Sequence, residues 1–355
     1  MSELVIVASD LYLARASRER TGALELPGLA RITRFGAEHE LPQGWRAWLA
    51  RYCGRADLAD CAPAVIAYAA VSKDDTAPAY LWLATPVHLT ASLHSVHLGQ
   101  GGIVHVETEA RAQLCASFDE SFAELGYRLL PTRSGDLIAS GPELPGRIET
   151  TEPARRLGSS IDDALPQGAG SAALRRLGGE IELWLHAHPL NAQRTREQRA
   201  PISTLWLWGG GAHAQLATSP AAPLRPFANV PAANGRPSAQ APPELFGDDS
   251  YVEGLARLCA SSCVPVPATG AAVLAHAARR KVVILEVFHG RDGGNTPAQA
   301  LERLDADWLS DGVRALEDGR IARLTLIAND RRVTMTARSR FKLWRRTRDP
   351  LAALQ

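Results

Sequence analysis

Residues Trp184 to Gly211 read WLHAHPLNAQRTREQRAPISTLWLWGGG. His186, His188, Asn191, Arg194 and Arg196 stand just ahead of an apolar run, residues 203–208, that exits into Gly209, Gly210 and Gly211. Hydrogen-bonding and anion-binding side chains are thus set beside a backbone that can approach a ligand closely, because glycine carries no Cβ. Upstream, Leu174, Leu177, Ile181, Trp184, Leu185 and His188 recur at helical spacing, so a helix runs into this stretch. Pro189 is expected to end it, since proline cannot continue a helix interior.

Working outward, residues 127–130 and 136–140 read as a hairpin about the turn Arg133-Ser134-Gly135. Residues 108–125 read as a helix with Leu114, Phe118, Phe122 and Leu125 on one face, and 101–106 as a strand. This is the pattern of a small α+β module. The flanks differ. Residues 4–8 form a short apolar run closed by Asp10, and KVVILEVF at 281–288 is the clearest fully buried parallel strand. Residues 41–52, 248–259, 271–280 and 301–316 carry helical spacing, while 321–328 and 332–336 read as late strands. Periodicity leaves 62–71 and 80–84 open between two strands and a helix–strand pair. Residues 217–243, rich in Pro and Ala without a period, read as a long irregular connection. Strands and helices alternate at both ends around a different module, so the expected fold is an α/β core with an insertion.

Composition sets the outer bounds. The chain has 355 residues, 46% hydrophobic and 22% charged, which is globular rather than disordered. Lys plus Arg number 39 against 38 Asp plus Glu, and this balance gives no support for a nucleic-acid partner. The amino-terminal residues lack a basic stretch and their apolar run stops at Ser9-Asp10, so no signal peptide is expected. No apolar stretch reaches the roughly 20 residues a bilayer needs, so the expected location is cytoplasmic, with no membrane contact. Five cysteines, Cys53, Cys61, Cys115, Cys259 and Cys263, are expected to be reduced thiols. Cys259 and Cys263 have the spacing of half a zinc site, but no second pair completes it.

The order His-Pro-x-Asn, then an Arg three residues on, then a strand ending in glycines, resembles the archaeal-type cofactor-independent phosphoglycerate mutases of the alkaline phosphatase superfamily. More closely it resembles the bacterial proteins described as RpfE-type regulatory proteins. The resemblance implies an α/β fold: an alkaline phosphatase-like core with a mainly parallel sheet, interrupted by a smaller α+β insertion domain that closes over the substrate. By that analogy residues 1–85 and 245–355 are the core, 86–215 the substrate-cap-like insertion, and 216–244 the Pro/Ala-rich connection.

The resemblance also implies two metal ions held in four clusters. Asp10 stands where the family has an Asp after the first strand, without the accompanying glycines. The nucleophile in a glycine-rich turn before a helix is missing; Leu26-Pro27-Gly28-Leu29-Ala30 resembles only the nearby helix start, and Ser17 and Thr21 have no such context. His289 and Asp292 follow the buried strand, but Gly293-Gly294-Asn295 replaces the family's second His. Asp330 matches the last cluster, with Arg331 in place of its His; a permanently charged guanidinium repels a dication but suits a phosphate or carboxylate. Asp10, His289, Asp292 and Asp330 are thus the candidate metal ligands, for manganese or zinc if the site works, and no cofactor is expected otherwise.

His188, Asn191, Arg194 and Arg331 are the candidate ligand-binding residues. The alternative for the first three is a capped helix end whose polar groups satisfy backbone at a domain junction. His88, His94 and His97 read as surface or hydrogen-bonded histidines, and the basic residues from Arg331 to Arg348 as a solvated terminal face. The expected function is that of a catalytically degenerate, RpfE-type mutase-like protein acting in regulation or ligand binding. A phosphorylated small molecule and a regulatory protein are the partners this implies. The alternatives are an active metal-dependent phosphoglycerate mutase or phosphotransferase, and a pure protein-interaction module.

Overall fold

The structure is a computed structural model that describes residues 2–12, 24–71, 78–217, 242–288, 296–341, 349–351 and 354. Its elements run β1 (Glu3–Ala8), α1 (Pro27–Phe35), β2 (Ala37–Glu40), α2 (Gly44–Tyr52), α3 (Pro63–Val71), β3 (Tyr80–Ala91), β4 (Val96–Ile103), α4 (Thr108–Phe122), β5 (Arg128–Pro131) and β6 (Leu137–Gly141). There follow β7 (Ser159–Ser160), α5 (Ser171–Ala187), α6 (Pro189–Arg196), β8 (Thr204–Ala212), β9 (Glu244–Phe246), α7 (Ser250–Leu258), β10 (Cys263–Val264) and α8 (Gly270–Ala275). The chain then makes β11 (Arg280–Leu285), α9 (Pro297–Leu304), α10 (Ser310–Glu317), β12 (Arg323–Ala328) and β13 (Arg331–Thr336).

The first sheet has the order β10-β9-β11-β1-β12-β13-β2; its first five strands are parallel, and β13 and β2 add antiparallel edges. β1 sits centrally, paired with β11 and β12, which explains its unbroken apolar run: a parallel strand covered on both faces has no polar side. Leu4, Ile6 and Ala8 point into a cluster with Leu29 and Ile32 of α1, Leu301 of α9 and Val313 of α10. Val5 and Val7 point oppositely, against Trp45 and Leu49 of α2 and Val252 and Leu255 of α7. Each such fully buried aliphatic side chain contributes roughly 1.5–3 kcal/mol.

The second sheet is antiparallel throughout and takes its strands from residues 80–212. β8 lines one edge of the long β3, while β6 and β4 share the other. Trp82, Ala84, Leu205 and Leu207 face Leu114 and Phe118 of α4 and Leu177 and Ile181 of α5. The alternate residues Leu81, Leu83, Trp206 and Trp208 face Ala64, Val65 and Tyr68 of α3. α3 is therefore shared: Ile66 belongs to the core of the parallel sheet and its neighbours to that of the antiparallel sheet. The expected α/β core with a mainly parallel sheet and a smaller α+β module is what the chain builds.

Of the two alternatives left open, the helix–strand pair is the one formed, with the helix at Pro63–Val71 and the strand extended to Ala91. Other local readings need correction. The strand expected at 101–106 is centred earlier, at Val96–Ile103, and the helix at 271–280 stops at Ala275. The expected helix 301–316 is broken by a wide π-turn at Asp305–Leu309, where Asp305 reaches back to accept from the amides of Gly28 (3.0 Å) and Leu29 (2.6 Å) at the start of α1. Pro189 does end α5, and it also opens α6, a helix the sequence reading lacks; proline at the first helical position removes only an amide that has no intrahelical partner. The Pro/Ala-rich connection lies almost wholly outside the described residues, as does the basic tail from 342 to 348, whereas Arg331 and Arg332 belong to β13.

Candidate functional site

The carboxyl edge of the parallel sheet is where an α/β fold of this kind places its chemistry. β1 and β12 are in register, Ala8 opposite Ala328, so Asp10 and Asp330 emerge at the same edge. Asp10 is fully buried and its two oxygens accept from the amides of Val287 (2.6 Å) and Phe288 (2.7 Å) in the segment leaving β11. His289 and Asp292 follow that segment and lie outside the described residues. Asp330 sits in the two-residue turn between β12 and β13, where Asn329 (φ 49°) and Asp330 (φ 58°) both adopt the left-handed conformation that Asn and Asp tolerate. Its carboxylate takes a two-pronged bond from Arg155, Nη1 at 2.6 Å and Nη2 at 2.7 Å, and accepts from the Tyr12 hydroxyl at 3.2 Å. The Arg155 guanidinium also lies 4.6 Å from the Tyr12 ring centre, and burial pushes the Tyr12 hydroxyl up, against the pull of Arg155.

A two-metal centre needs carboxylates and imidazoles converging on ions about 3.5–4 Å apart. The described members of the candidate set do not fit one. Asp10 is engaged by two backbone amides and Asp330 by a cation, and a guanidinium beside a dication is repulsive. Among the described residues no three His, Cys, Asp or Glu side chains are grouped to hold a metal ion.

Between the two sheets, above this edge, lies a cleft of about 590 Å³. Arg46 of α2 stands on its wall and grips Glu152 of the insertion module with two bonds, Nη1 to Oε2 at 2.9 Å and Nη2 to Oε1 at 2.8 Å. The pair is largely enclosed, with side-chain exposures of 14% and 11%. The guanidinium also lies over the rings of Trp45 (4.3 Å) and Trp208 (4.9 Å), and 3.9 Å from Asp249. Asp249 caps α7 by accepting from the amides of Tyr251 (2.7 Å) and Val252 (3.2 Å). Burial pushes its carboxyl up to about 6, against the pull of Arg46. Asp136, across the cleft in the antiparallel module, accepts from the amide of Ser250 at 2.8 Å.

The sequence reading missed Arg46, Glu152, Asp136 and Asp249. Asp249 carries a signal, an acid immediately before a helical pattern. The Arg46–Glu152 pair spans 106 positions and has none.

The signature stretch is placed elsewhere. His188 caps α6, its Nδ1 accepting from the amide of Leu190 at 3.1 Å, with Nε2 at 3.1 Å from the Ser117 hydroxyl. Asn191 donates to the carbonyls of Leu185 (2.8 Å) and Ile202 (2.8 Å) and accepts from the amide of Ile202 (2.8 Å), stitching α5 to the start of β8. Arg194 donates through Nε to the carbonyl of Ala200 at 2.7 Å. All three are buried, and none lines the cleft. Arg331 points the other way from Asp330, pairing with Glu38 and standing 3.9 Å from Glu40 of β2.

The glycine run forms a β-bulge, where the pairing of β8 with β3 shifts between Leu81 and Leu83. Gly209 has φ +59°, and a Cβ on Gly210 would come within 2.4 Å of the Trp82 ring. The close approach the glycines permit is therefore to protein side chains. Of the scattered histidines, His88 binds the carbonyl of Pro201 (2.9 Å) and His97 the hydroxyl of Ser95 (2.7 Å).

No family model matches the chain. It is 29% identical over 108 residues to the 2,3-bisphosphoglycerate-independent phosphoglycerate mutase of Methanosarcina mazei, a match covering 30% of this chain and 27% of the relative. A probable mutase of the same description from Geobacter sulfurreducens is 36% identical over 61 residues, 17% of this chain and 15% of that one. The matched stretch thus takes in about a quarter of the length of the Methanosarcina relative. Among solved structures, the cofactor-independent phosphoglycerate mutase of Thermoplasma acidophilum superposes with a TM-score of 0.36 at 15% identity, covering 95% of this chain and 90% of the other. The PH0037 protein of Pyrococcus horikoshii gives 0.44 at 10% identity, covering 94% and 87%.

Proposed function

We propose that this chain is a phosphoglycerate mutase-like protein that has given up turnover and works by binding, in regulation. The observation that carries the reading is the ion pairing at the sheet edge. Arg155 of the insertion module occupies the carboxylate of Asp330, where the mutase resemblance puts a metal ligand. The Arg46–Glu152 pair joins the same two modules nearby. An inserted cation substitutes for the metal's charge and fastens the module to the core. The absence of the family's nucleophile from its motif agrees with this. The cleft lining agrees as well: Asp136, Glu152, Asp248, Asp249, Glu286 and Asp307 outnumber Arg46 and Arg303, so a phosphorylated acid enters against an unfavourable field.

The test is metal content, thermal stabilisation and mutase turnover of the purified protein with manganese or zinc, with and without phosphoglycerate. A ligand of the folded state at about 100 times its dissociation constant adds roughly 2.7 kcal/mol of stability. We expect no stoichiometric metal and no turnover. Two bound ions, a substrate-dependent rise in Tm and mutase activity would restore the enzyme reading, with Asp10, His289, Asp292 and Asp330 as ligands.

A further inference from the structure

α2 and α7 are each nine residues long and pack on one core cluster. They start together: the Trp45 and Tyr251 rings meet edge-on with centres 5.7 Å apart, and the Tyr251 hydroxyl donates to the carbonyl of Arg46 at 2.8 Å. They also end together, for Arg55 beyond α2 donates through Nη1 to the carbonyl of Leu258, the last residue of α7, at 2.6 Å. The helices therefore run parallel. Cys53 and Cys259 are the residues that close their two carboxyl ends. Each stands eight positions beyond its member of the Trp45–Tyr251 contact, the same rise of about 12 Å along either helix, so parallel packing brings the thiols together.

Both side chains pack on the same core cluster, and both remain partly exposed. Hydrogen bonding to Cys259 pushes the Cys53 thiol up, and the same bond lowers Cys259, helped by Arg55 and opposed by burial. The other cysteines are differently placed: Cys61 donates weakly to the carbonyls of Asp57 and Gln215, Cys263 to that of Gly247, and Cys115 is buried in the insertion module.

We propose that Cys53 and Cys259 are a redox-active pair, closed to a disulfide by exchange with a small-molecule disulfide of the glutathione type, and that this bond locks the cleft wall formed by α2 and α7. The Cys259 thiolate attacks one sulfur of the small disulfide, forming a mixed disulfide and releasing one small thiolate. Cys53 then loses its proton to solvent and attacks the Cys259 sulfur, forming the internal bond and expelling the second small thiolate. The two protein thiols are oxidised, one small disulfide is reduced to two thiols, and the two protons end on those thiols. Exchange of this kind follows thiolate character and access; both thiols are half-buried, and Cys259, the one lowered, is the first to react. The two helices carry Arg46 and Ser250 of the cleft lining near their other ends, so a covalent tie at one end restrains the wall at the other. A transient disulfide of this kind is compatible with otherwise reduced thiols.

The experiment is exposure of the folded full chain to oxidised glutathione, followed by counting of free thiols and peptide mass mapping. The wild type is expected to fall from five titratable thiols to three, with Cys53 linked to Cys259, no retained glutathione, and full reversal by a dithiol reductant. Cys53→Ser is expected to trap a stable glutathione adduct on Cys259, and Cys259→Ser to lose no thiol at all. In the oxidised wild type Tm rises, whereas neither variant shows the rise. A lasting adduct on wild-type Cys259, a link through Cys61 or Cys263, or an unchanged count of five would overturn the proposal.

Discussion

Replacing Glu152 by Gln tests whether the Arg46 grip holds the insertion module to the core. The substitution keeps the shape of the side chain, removes its charge and turns one of its two acceptors into an amide donor facing the guanidinium. Breaking a buried ion pair by removing one partner costs about 3–5 kcal/mol, because the survivor stays buried and uncompensated. Exposures of 14% and 11% put this pair close to that regime. Two features pull the cost to the low end: Asp249 at 3.9 Å supplies a second anion, and the Trp45 and Trp208 rings at 4.3 and 4.9 Å supply cation–π faces. The expected loss is about 3 kcal/mol, roughly a hundredfold in the unfolding constant. Urea denaturation reads it as a lower midpoint at unchanged slope. The double replacement Arg46→Met with Glu152→Leu is expected to recover most of the loss, since an apolar pair leaves no stranded charge. A loss below about 1 kcal/mol for Glu152→Gln, the size of an exposed pair, would refute the argument.

Asp249 makes stability depend on pH. Its folded carboxyl is raised from 3.8 to about 6, so the folded state holds the proton more tightly, and the corresponding stability is complete below pH about 4 and lost as pH rises through 6. Asp249→Asn, which keeps a good helix cap, is expected to flatten that part of a Tm-versus-pH curve; a curve superposable on wild type would contradict it. Asn191→Ala strips both bonds from Ile202 and leaves the Leu185 carbonyl only the amide of His188, and is expected to cost about 3 kcal/mol in urea denaturation while leaving any ligand affinity of the cleft unchanged. Gly254→Ala puts a methyl 1.9 Å from the carbonyl oxygen of Ile66, so α7 must move off α3, at a cost of about 1–3 kcal/mol visible as a lower Tm. A Tm equal to wild type would mean the two helices are less tightly packed than their spacing implies.

Strand and helix character were legible wherever burial is periodic. The LVIVA run announced a buried first strand, the 3.6-residue spacing before Pro189 announced α5, and Asp10 and Asp330 were readable as acids at strand ends. Those readings depend only on neighbours along the chain. What each polar group does was not legible, because hydrogen bonds are made by whatever the fold brings near. Asn191 reads equally well as a ligand contact or as a clasp, and the side chain itself is the same in both. Its partner Ile202 lies close in sequence, yet only the turn from α6 into β8 aims the amide at it. The glycine run likewise signals close approach but not to what; the register of β3 against β8 turns it into a bulge over Trp82.

The sequence alone therefore determined an α/β chain with an inserted α+β module, because apolar periodicity is a local property. By resemblance alone it also implied a mutase-like site without its nucleophile and two of its histidines. Only the tertiary structure decided that Asp330 is held by Arg155 from 175 positions away, that Arg46 bridges to Glu152, and that Cys53 and Cys259 pack on one core cluster. The physical reason is that charge pairing and thiol proximity follow distance in space, and that distance is set by how two sheets pack around the shared helix α3.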